Sequence, residues 1–233
     1  MRARVVLFDI DGTLLRCGGQ AGVAFLEALA EVFGPQGVRA GQLREGYSFA
    51  GRTDPRIALD LMARAGIGEA EVRARLGEVR ACYLRRLGAR LDPRRVEILP
   101  GVRELLEALR QRSDLVLGLL TGNWLGGARL KLGALCLEEH FSFGAYGDDG
   151  IDRHELPPFA LARASALCDR EVEPREALVI GDTLEDVRCA RHHGIPVLAV
   201  ATGRTSVEEL RAGGADWAVP SLRDAPAVCG ALS

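Results

Sequence analysis

Continuous apolar runs of strand length recur along this chain, separated by segments in which apolar residues return every three or four positions. The runs lie at 5–8, 115–122, 141–147, 177–183, 196–203 and 217–221. Their length and their branched aliphatic residues are typical of strands buried on both faces. Because these strands alternate with helix-like segments, the pattern predicts a doubly wound, mostly parallel sheet of the α/β class.

The stretch from 16 to 96 departs from this alternation, because only helical patterns are found in it. Apolar residues at helical spacing precede Gly34-Pro35, where we expect the first helix to stop. The segment GRTDPRIALDLMARAGI predicts a second helix, with Thr53 or Asp54 as its N-terminal cap. A third helix is predicted over 72–83.

With 233 residues, the chain is long enough for one large domain that carries an insertion. We expect 1–15 and 97–233 to form the α/β core, and 16–96 to form an all-helical domain inserted after the first strand. Hydrophobic residues make up 48% of the chain, which favours a globular core over disorder.

Charge and cysteine content exclude several classes of partner. The formal net charge is −2 and the isoelectric point is near 6.1, so there is no electrostatic case for nucleic acid or an anionic membrane. No apolar run is long enough to span a bilayer, and no leader peptide is recognised. The six cysteines are scattered without a C-x-x-C pair, which predicts free thiols in a reducing cytoplasm.

Acidic residues follow two of the predicted strands. Asp9 and Asp11, in DIDGT, are two positions apart and should project to the same side of the first strand's end. Asp182 and Asp186 lie in GDTLED, after the strand at 177–183. Parallel sheets bind ligands at the carboxyl ends of their strands, so these four carboxylates should converge. Because like charges repel there, we expect a hard cation such as Mg²⁺ between them.

The strand at 115–122 ends in TGN, which supplies groups that suit a phosphate. Thr121 offers a hydroxyl, and the backbone N–H groups of Gly122 and Asn123 open the next helix. A cation held by carboxylates would attract the same phosphate. The combination indicates Mg²⁺-assisted phosphoryl chemistry with an aspartate nucleophile.

The motifs DIDGT, LLTGN and GDTLED, in this order, resemble three motifs of the haloacid dehalogenase superfamily in its phosphatase branch. The likeness extends over essentially the whole chain. The segments GRTDPRIALDLM and ILPGVRELLEAL are also similar to phosphoglycolate-phosphatase-like members. The resemblance implies a Rossmann-like core, and it implies that the helical insertion is the family's cap domain.

The resemblance also implies roles for the acidic residues. Asp9 would attack phosphorus, and Asp11 would protonate the leaving oxygen and then deprotonate the hydrolytic water. The Asp9 carboxylate, the Asp11 backbone carbonyl and Asp182 would hold Mg²⁺. For Asp186 two interpretations stay open. It either forms a capping box with Thr183, or supports the metal through water or binds a basic residue.

The chain departs from the family pattern at the basic residue that neutralises the nucleophile. Members usually place a lysine before the fourth strand, and that segment here reads DRHELPPFALARA. Arg153 is the first candidate for the catalytic and phosphate-binding cation. His154 is the second, and the third possibility is that neither serves. Lys131, the only lysine in the sequence, lies well inside the helix after Thr121, and we expect its head to point away from the crevice.

These observations predict a phosphomonoester hydrolase acting on a small phosphorylated metabolite, with phosphoglycolate as the first substrate to test. A sugar phosphomutase similar to β-phosphoglucomutase is the alternative, and a catalytically silent binding protein on the same scaffold is a remote one. Asp11 argues against a dehalogenase, which needs no acid for halide, and the lack of lysine in 16–96 argues against a phosphonatase. The chain is expected to be a cytoplasmic monomer or homodimer.

Overall fold

The computed structural model describes residues 4–42 and 45–223, so Cys229 and the predicted core residues 224–233 lie outside it. The strands are β1 Val5–Phe8, β2 Leu15–Arg16, β3 Glu97–Ile98, β4 Val116–Leu120, β5 Phe143–Ala145, β6 Ala177–Gly181, β7 Val197–Val200 and β8 Trp217–Val219. The helices are α1 Gln20–Phe33, α2 Pro35–Gln42, α3 Asp54–Arg64, α4 Glu69–Arg90, α5 Val102–Arg110, α6 Leu125–Gly133, α7 Leu156–Leu167, α8 Leu184–His192 and α9 Val207–Ala212.

Six strands form one sheet in the order β5-β4-β1-β6-β7-β8, and every neighbouring pair is parallel. The predicted α/β class with a mostly parallel sheet is confirmed. After β1 the chain adds β4 and β5 on one side and β6 to β8 on the other, so the strand order reverses at β1. The crevice beyond the carboxyl end of β1 is therefore the natural ligand site.

Side chains of β1 pack on both faces of the sheet. Val6 and Phe8 belong to an apolar cluster with residues of α5, whereas Val5 and Leu7 belong to a second cluster with residues of α7 and α8. All four are fully buried. Helices thus cover both faces, which explains why the strand is apolar without interruption.

The helices α1, α3 and α4 form a third apolar cluster with the start of α6. The ring of Phe25 in α1 stacks on Trp124, with ring centroids 5.8 Å apart, and the ring of Tyr83 in α4 lies 5.2 Å from Phe25 edge to face. Since Trp124 directly precedes α6, aromatic packing joins the helical layer to the loop after β4. The division into a core and an inserted domain with the stated boundaries stays a prediction.

Three short elements were not predicted from the sequence. Strands β2 and β3 form a two-residue antiparallel pair at the points where the chain leaves and rejoins the sheet. Helix α2 begins at Pro35, directly after Gly34. Gly34, with a φ of 59°, ends α1 as expected. Pro35 is the first residue of α2, a position that suits the fixed φ of proline.

The described cysteines, at positions 17, 82, 136, 168 and 189, are all unpaired. Within the described residues, no helix combines the length and the apolar character needed to cross a membrane.

Candidate active site

The ends of three neighbouring strands meet at one cavity. Asp9 follows β1, Thr121 follows β4 and Asp182 follows β6, and these strands are adjacent in the sheet. The cavity has a volume of about 450 Å³, and the predicted site residues that line it are Asp9, Asp11, Thr121, Gly122, Asn123, Arg153 and Asp182.

Three buried carboxylates crowd together beside this cavity. Asp9, Asp182 and Asp186 each offer one oxygen, and these oxygens lie within 4.8 Å of one another. Burial raises the pKa of Asp9 to about 6, although Arg153 opposes this shift. Burial also raises the pKa of Asp182 to about 8, with repulsion from Asp186 and Asp9 adding to it. The electrostatic cost of this cluster is therefore only partly relieved by the protein itself.

The donor set of this cluster fits a hard divalent cation. Its three carboxylates face a single guanidinium, that of Arg153, which leaves two negative charges when all are ionised. Carboxylate oxygens are the ligands that Mg²⁺ prefers. The Asp11 side chain is not part of this cluster, because its Oδ2 binds Asn123 and Lys131.

Arg153 is the basic residue that contacts the predicted nucleophile. Its Nη2 donates to Asp9 Oδ1 at 2.9 Å, to the Leu120 carbonyl at 3.1 Å and to Asp186 Oδ1. Burial disfavours the charged guanidinium, but Asp186 and Asp9 hold the pKa of Arg153 above its usual range. Its Nε is buried and has no hydrogen-bond partner among the described residues. A donor at this position thus stays unused by the protein.

The neighbouring candidate, His154, does not reach the carboxylates. Arg153 and His154 belong to a short 3₁₀ turn, Arg153–Glu155, that is held by a capping box between Asp152 and Glu155. This turn buries Arg153 and leaves His154 exposed. The structure thus brings Arg153, and not His154, against Asp9.

Asp186 forms the capping box with Thr183 and also binds a basic residue, Arg153. It thus fits the first interpretation that the sequence left open and the basic-residue form of the second. Its Oδ2 accepts from the Thr183 backbone N–H at 3.0 Å and from the Thr183 hydroxyl at 2.6 Å, and Thr183 Oγ1 accepts from the Asp186 N–H in return. This capping box starts α8. The other oxygen, Oδ1, binds Arg153. Both oxygens of Asp186 are thus engaged by protein donors.

The loop after β4 forms the other wall of the cavity. The Thr121 hydroxyl is fully buried and accepts from Asn123 Nδ2 at 2.8 Å. Gly122 lies directly beneath the backbone of Arg52 and Thr53, and a Cβ at this position would collide with that backbone. Glycine is therefore required at 122 because the helical layer approaches the loop so closely.

The prediction for Lys131 is wrong. Its Nζ lies in the site and donates to Asp11 Oδ2 and Asn123 Oδ1, each at 2.5 Å. Lys131 lies two helical turns after Trp124, on the same face of α6. Because side chains of a helix lean toward its N-terminus, the ammonium reaches back to the loop after β4. The rise along the helix axis alone places the ammonium too far from the site, because it ignores this lean of the side chain.

Two further residues of DIDGT support the carboxylates. Thr13 Oγ1 donates to Asp182 Oδ1 at 3.1 Å. Gly12 has a φ of 92°, and a Cβ there would collide with the Asp182 carboxylate. Both residues belong to the motif, but their contacts with Asp182 follow only from the pairing of β6 with β1.

The start of α3 is bonded to the loop after β4. Thr53 is the N-terminal cap, since its hydroxyl accepts from the Arg56 N–H at 3.2 Å. Asp54 donates its N–H to the Gly122 carbonyl at 2.7 Å and accepts from the Trp124 N–H through Oδ2 at 2.8 Å. Burial raises the pKa of Asp54 to about 7, although Lys131 opposes this shift.

The fold is of the α/β class, and the candidate site lies at the carboxyl ends of three neighbouring strands. The family model described as haloacid dehalogenase-like hydrolase matches residues 6–200. The chain belongs to this family, as its three motifs predicted.

Two curated relatives match over nearly their whole length. A phosphoglycolate phosphatase from Synechococcus elongatus is 27% identical over 221 residues, which cover 95% of this chain and 94% of the relative. The plasmid phosphoglycolate phosphatase of Cupriavidus necator is 30% identical over 226 residues, which cover 96% and 91%. Together with the family match, these relatives make the chain an enzyme of the phosphatase type.

Solved structures share the architecture. A predicted phosphatase from Clostridium acetobutylicum has a TM-score of 0.71 at 19% identity and covers 98% of this chain and 99% of its own. A candidate β-phosphoglucomutase from Thermotoga maritima has a TM-score of 0.62 at 21% identity, with coverage of 97% and 99%. At such identities the likeness establishes the fold alone.

The buried Asp54 generates a prediction about stability. In the unfolded chain its pKa is 3.8, and in the folded chain it is about 7. Its contribution to stability is complete below pH 4 and is lost as the pH rises through 7. Asp54→Asn keeps an acceptor for the Trp124 N–H and cannot ionise. We therefore expect its advantage in the free energy of unfolding to grow by roughly 4 kcal/mol between pH 4 and pH 8.

Urea unfolding of the wild type and of Asp54→Asn at pH 4, 5, 6.5 and 8 measures this difference. The advantage of the variant should shrink steadily as the pH falls from 7 to 4 and vanish only below about pH 4, where Asp54 is protonated in the folded and the unfolded chain alike. A difference that does not change with pH would contradict the assignment.

Proposed function

We propose that this protein is a Mg²⁺-dependent phosphomonoester hydrolase that works through an aspartyl-phosphate on Asp9. The observation that carries the proposal is the buried ion pair between Arg153 and Asp9, at the crevice where Asp11, Thr121 and Asp182 also lie. A carboxylate paired with a guanidinium, in a cavity, is suited to nucleophilic attack on phosphorus.

In the first half-reaction, a carboxylate oxygen of Asp9 forms a bond to phosphorus while the bond from phosphorus to the leaving oxygen breaks. Asp11 transfers its proton to that oxygen, so the leaving group departs as an alcohol. The Asp11 carboxyl lines the same cavity and is partly exposed to it, with 44% of its side-chain surface accessible. After this step Asp11 is a carboxylate.

In the second half-reaction, Asp11 takes a proton from water as the water oxygen bonds to phosphorus. The bond between phosphorus and Asp9 breaks, inorganic phosphate is released, and Asp11 is protonated again. One residue thus serves as acid and then as base, and the enzyme returns to its starting state.

Asp9, Asp182 and the Asp11 backbone carbonyl would hold Mg²⁺, with Asp186 in a supporting position. When bound, the cation supplies charge that offsets the phosphoryl oxygens. Arg153 contributes the protein's own positive charge next to Asp9. Thr121 and the N–H groups of Gly122 and Asn123 would donate to the phosphate from the opposite wall.

The substrate we propose to test first is phosphoglycolate. This choice is supported by the names of the curated relatives, which match over 91% to 94% of their own length. Arg52 also lines the cavity on the side of the helical layer, with its guanidinium paired to Asp60. The leaving group would be recognised by α1, α3 and α4.

Removing the nucleophile should abolish turnover. We expect Asp9→Asn to lose more than about a thousandfold in kcat on p-nitrophenyl phosphate, because an amide does not attack phosphorus. Circular dichroism and thermal unfolding establish that the variant is folded. Wild-type activity in folded Asp9→Asn would refute the covalent mechanism.

Removing the metal should abolish activity, and the loss should be reversible. We expect chelation by EDTA to abolish phosphate release and added Mg²⁺ to restore it. Mg²⁺ should also raise the melting temperature of the wild type, because it binds the folded chain alone, and should do so much less in Asp182→Asn. Full activity in EDTA, or an unchanged shift in Asp182→Asn, would count against the metal site.

A panel of small phosphomonoesters in Mg²⁺ tests the substrate class, with phosphate release as the readout. We expect release from several members and the highest kcat/KM on phosphoglycolate. Glucose 1-phosphate separates the alternatives, because a hydrolase releases phosphate from it and a mutase forms glucose 6-phosphate. Absence of turnover across the panel would instead favour a silent binding protein.

A further inference from the structure

The only lysine of the chain is buried inside the candidate active site. Lys131 is 4% exposed, and its ammonium donates to Asp11 Oδ2 and to Asn123 Oδ1. A buried ammonium is costly unless it is paired and hydrogen-bonded. A hydrophobic side chain at this point of α6 would avoid that cost, so the charge calls for a functional explanation.

The two contacts of Lys131 act together on Asp11. Because Asn123 Oδ1 accepts from the ammonium, its Nδ2 must face the other way, where it donates to Asp11 Oδ2 at 2.8 Å and to Thr121 Oγ1 at 2.8 Å. Lys131 thus binds Asp11 directly and also orients the amide that binds it. Both donors reach the same oxygen, Oδ2, of a carboxyl that is otherwise substantially exposed.

We propose that Lys131 is a positioning residue for proton transfer, which holds Oδ2 of Asp11 so that Oδ1 is the oxygen that gives its proton to the leaving group. This inference rests on the proposed function. Because Oδ2 accepts both of these hydrogen bonds, Oδ1 is the oxygen that carries the proton which Asp11 transfers in the proposed mechanism. When the bond from phosphorus to the leaving oxygen breaks, the proton moves from Oδ1 to that oxygen. The resulting Asp11 carboxylate stays paired with Lys131.

The dependence of rate on the leaving group separates this role from a structural one. Alkyl phosphates need a proton on the departing oxygen, whereas 2,4-dinitrophenyl phosphate releases a stable anion and does not. The quantity to compare is kcat/KM, because it covers only the steps up to the departure of the alcohol or phenol.

The variants are Lys131→Met and Lys131→Gln. We expect kcat/KM on alkyl phosphates to fall on the order of a hundredfold, and on 2,4-dinitrophenyl phosphate by less than about threefold. The matched control is Arg129→Gln, two residues away on α6, whose side chain is 64% exposed and pairs with Glu138. It should keep the wild-type rates across the whole series.

A second measurement uses Asp11→Asn. If Lys131 acts through Asp11, adding Lys131→Met to Asp11→Asn should lower kcat/KM on alkyl phosphates by less than about threefold, since the proton is already lost. This double variant leaves neither partner of the pair behind, so its comparison with Asp11→Asn stays informative if the Lys131 single variants do not fold.

An equal loss of kcat/KM for every leaving group, or a further large loss in the Asp11→Asn background, would overturn the proposal. Either result would assign Lys131 a structural role. Failure of the proposed function looks different, because the wild type would then turn over none of the phosphate esters.

Discussion

Three carboxylates buried beside one guanidinium are the constraint on which this structure depends. Asp9, Asp182 and Asp186 repel one another, and Arg153 neutralises only part of their charge. The same Arg153 is held by Asp186, whose other oxygen caps α8. The residue that helps to cap α8, Asp186, therefore also positions the guanidinium of Arg153. Stability of the helix start and charge balance of the crevice are two results of one set of contacts.

A second charged group adjoins the first from the opposite wall. Lys131 pairs with Asp11 and orients Asn123, which in turn binds Thr121. The cation beside Asp9 comes from the turn before α7, and the cation beside Asp11 comes from α6. Because the two cations contact different carboxylates, the charge environments of Asp9 and Asp11 are set by different elements.

Patterns that act over a few residues could be read from the sequence, and contacts that depend on packing could not. The strands were predictable because burial on both faces makes them continuously apolar, and the acidic motifs follow their ends. Strands β2 and β3 have two residues each and carry no such pattern. The choice between Arg153 and His154 depends on a capping box one turn long. The reach of Lys131 depends on the lean of side chains along a helix.

The helical layer contacts the loop after β4 through the start of α3. Backbone at Thr53 and Asp54 lies against Gly122, and Asp54 also binds the N–H of Trp124. The cavity residues of α1, α3 and α4 lie on helices that hold no member of the carboxylate cluster. Under the proposed function, the residues that contact the leaving group and the residues that act on phosphorus are therefore on different elements. Substitutions in these three helices would then alter which phosphate ester is bound without changing the groups at the strand ends.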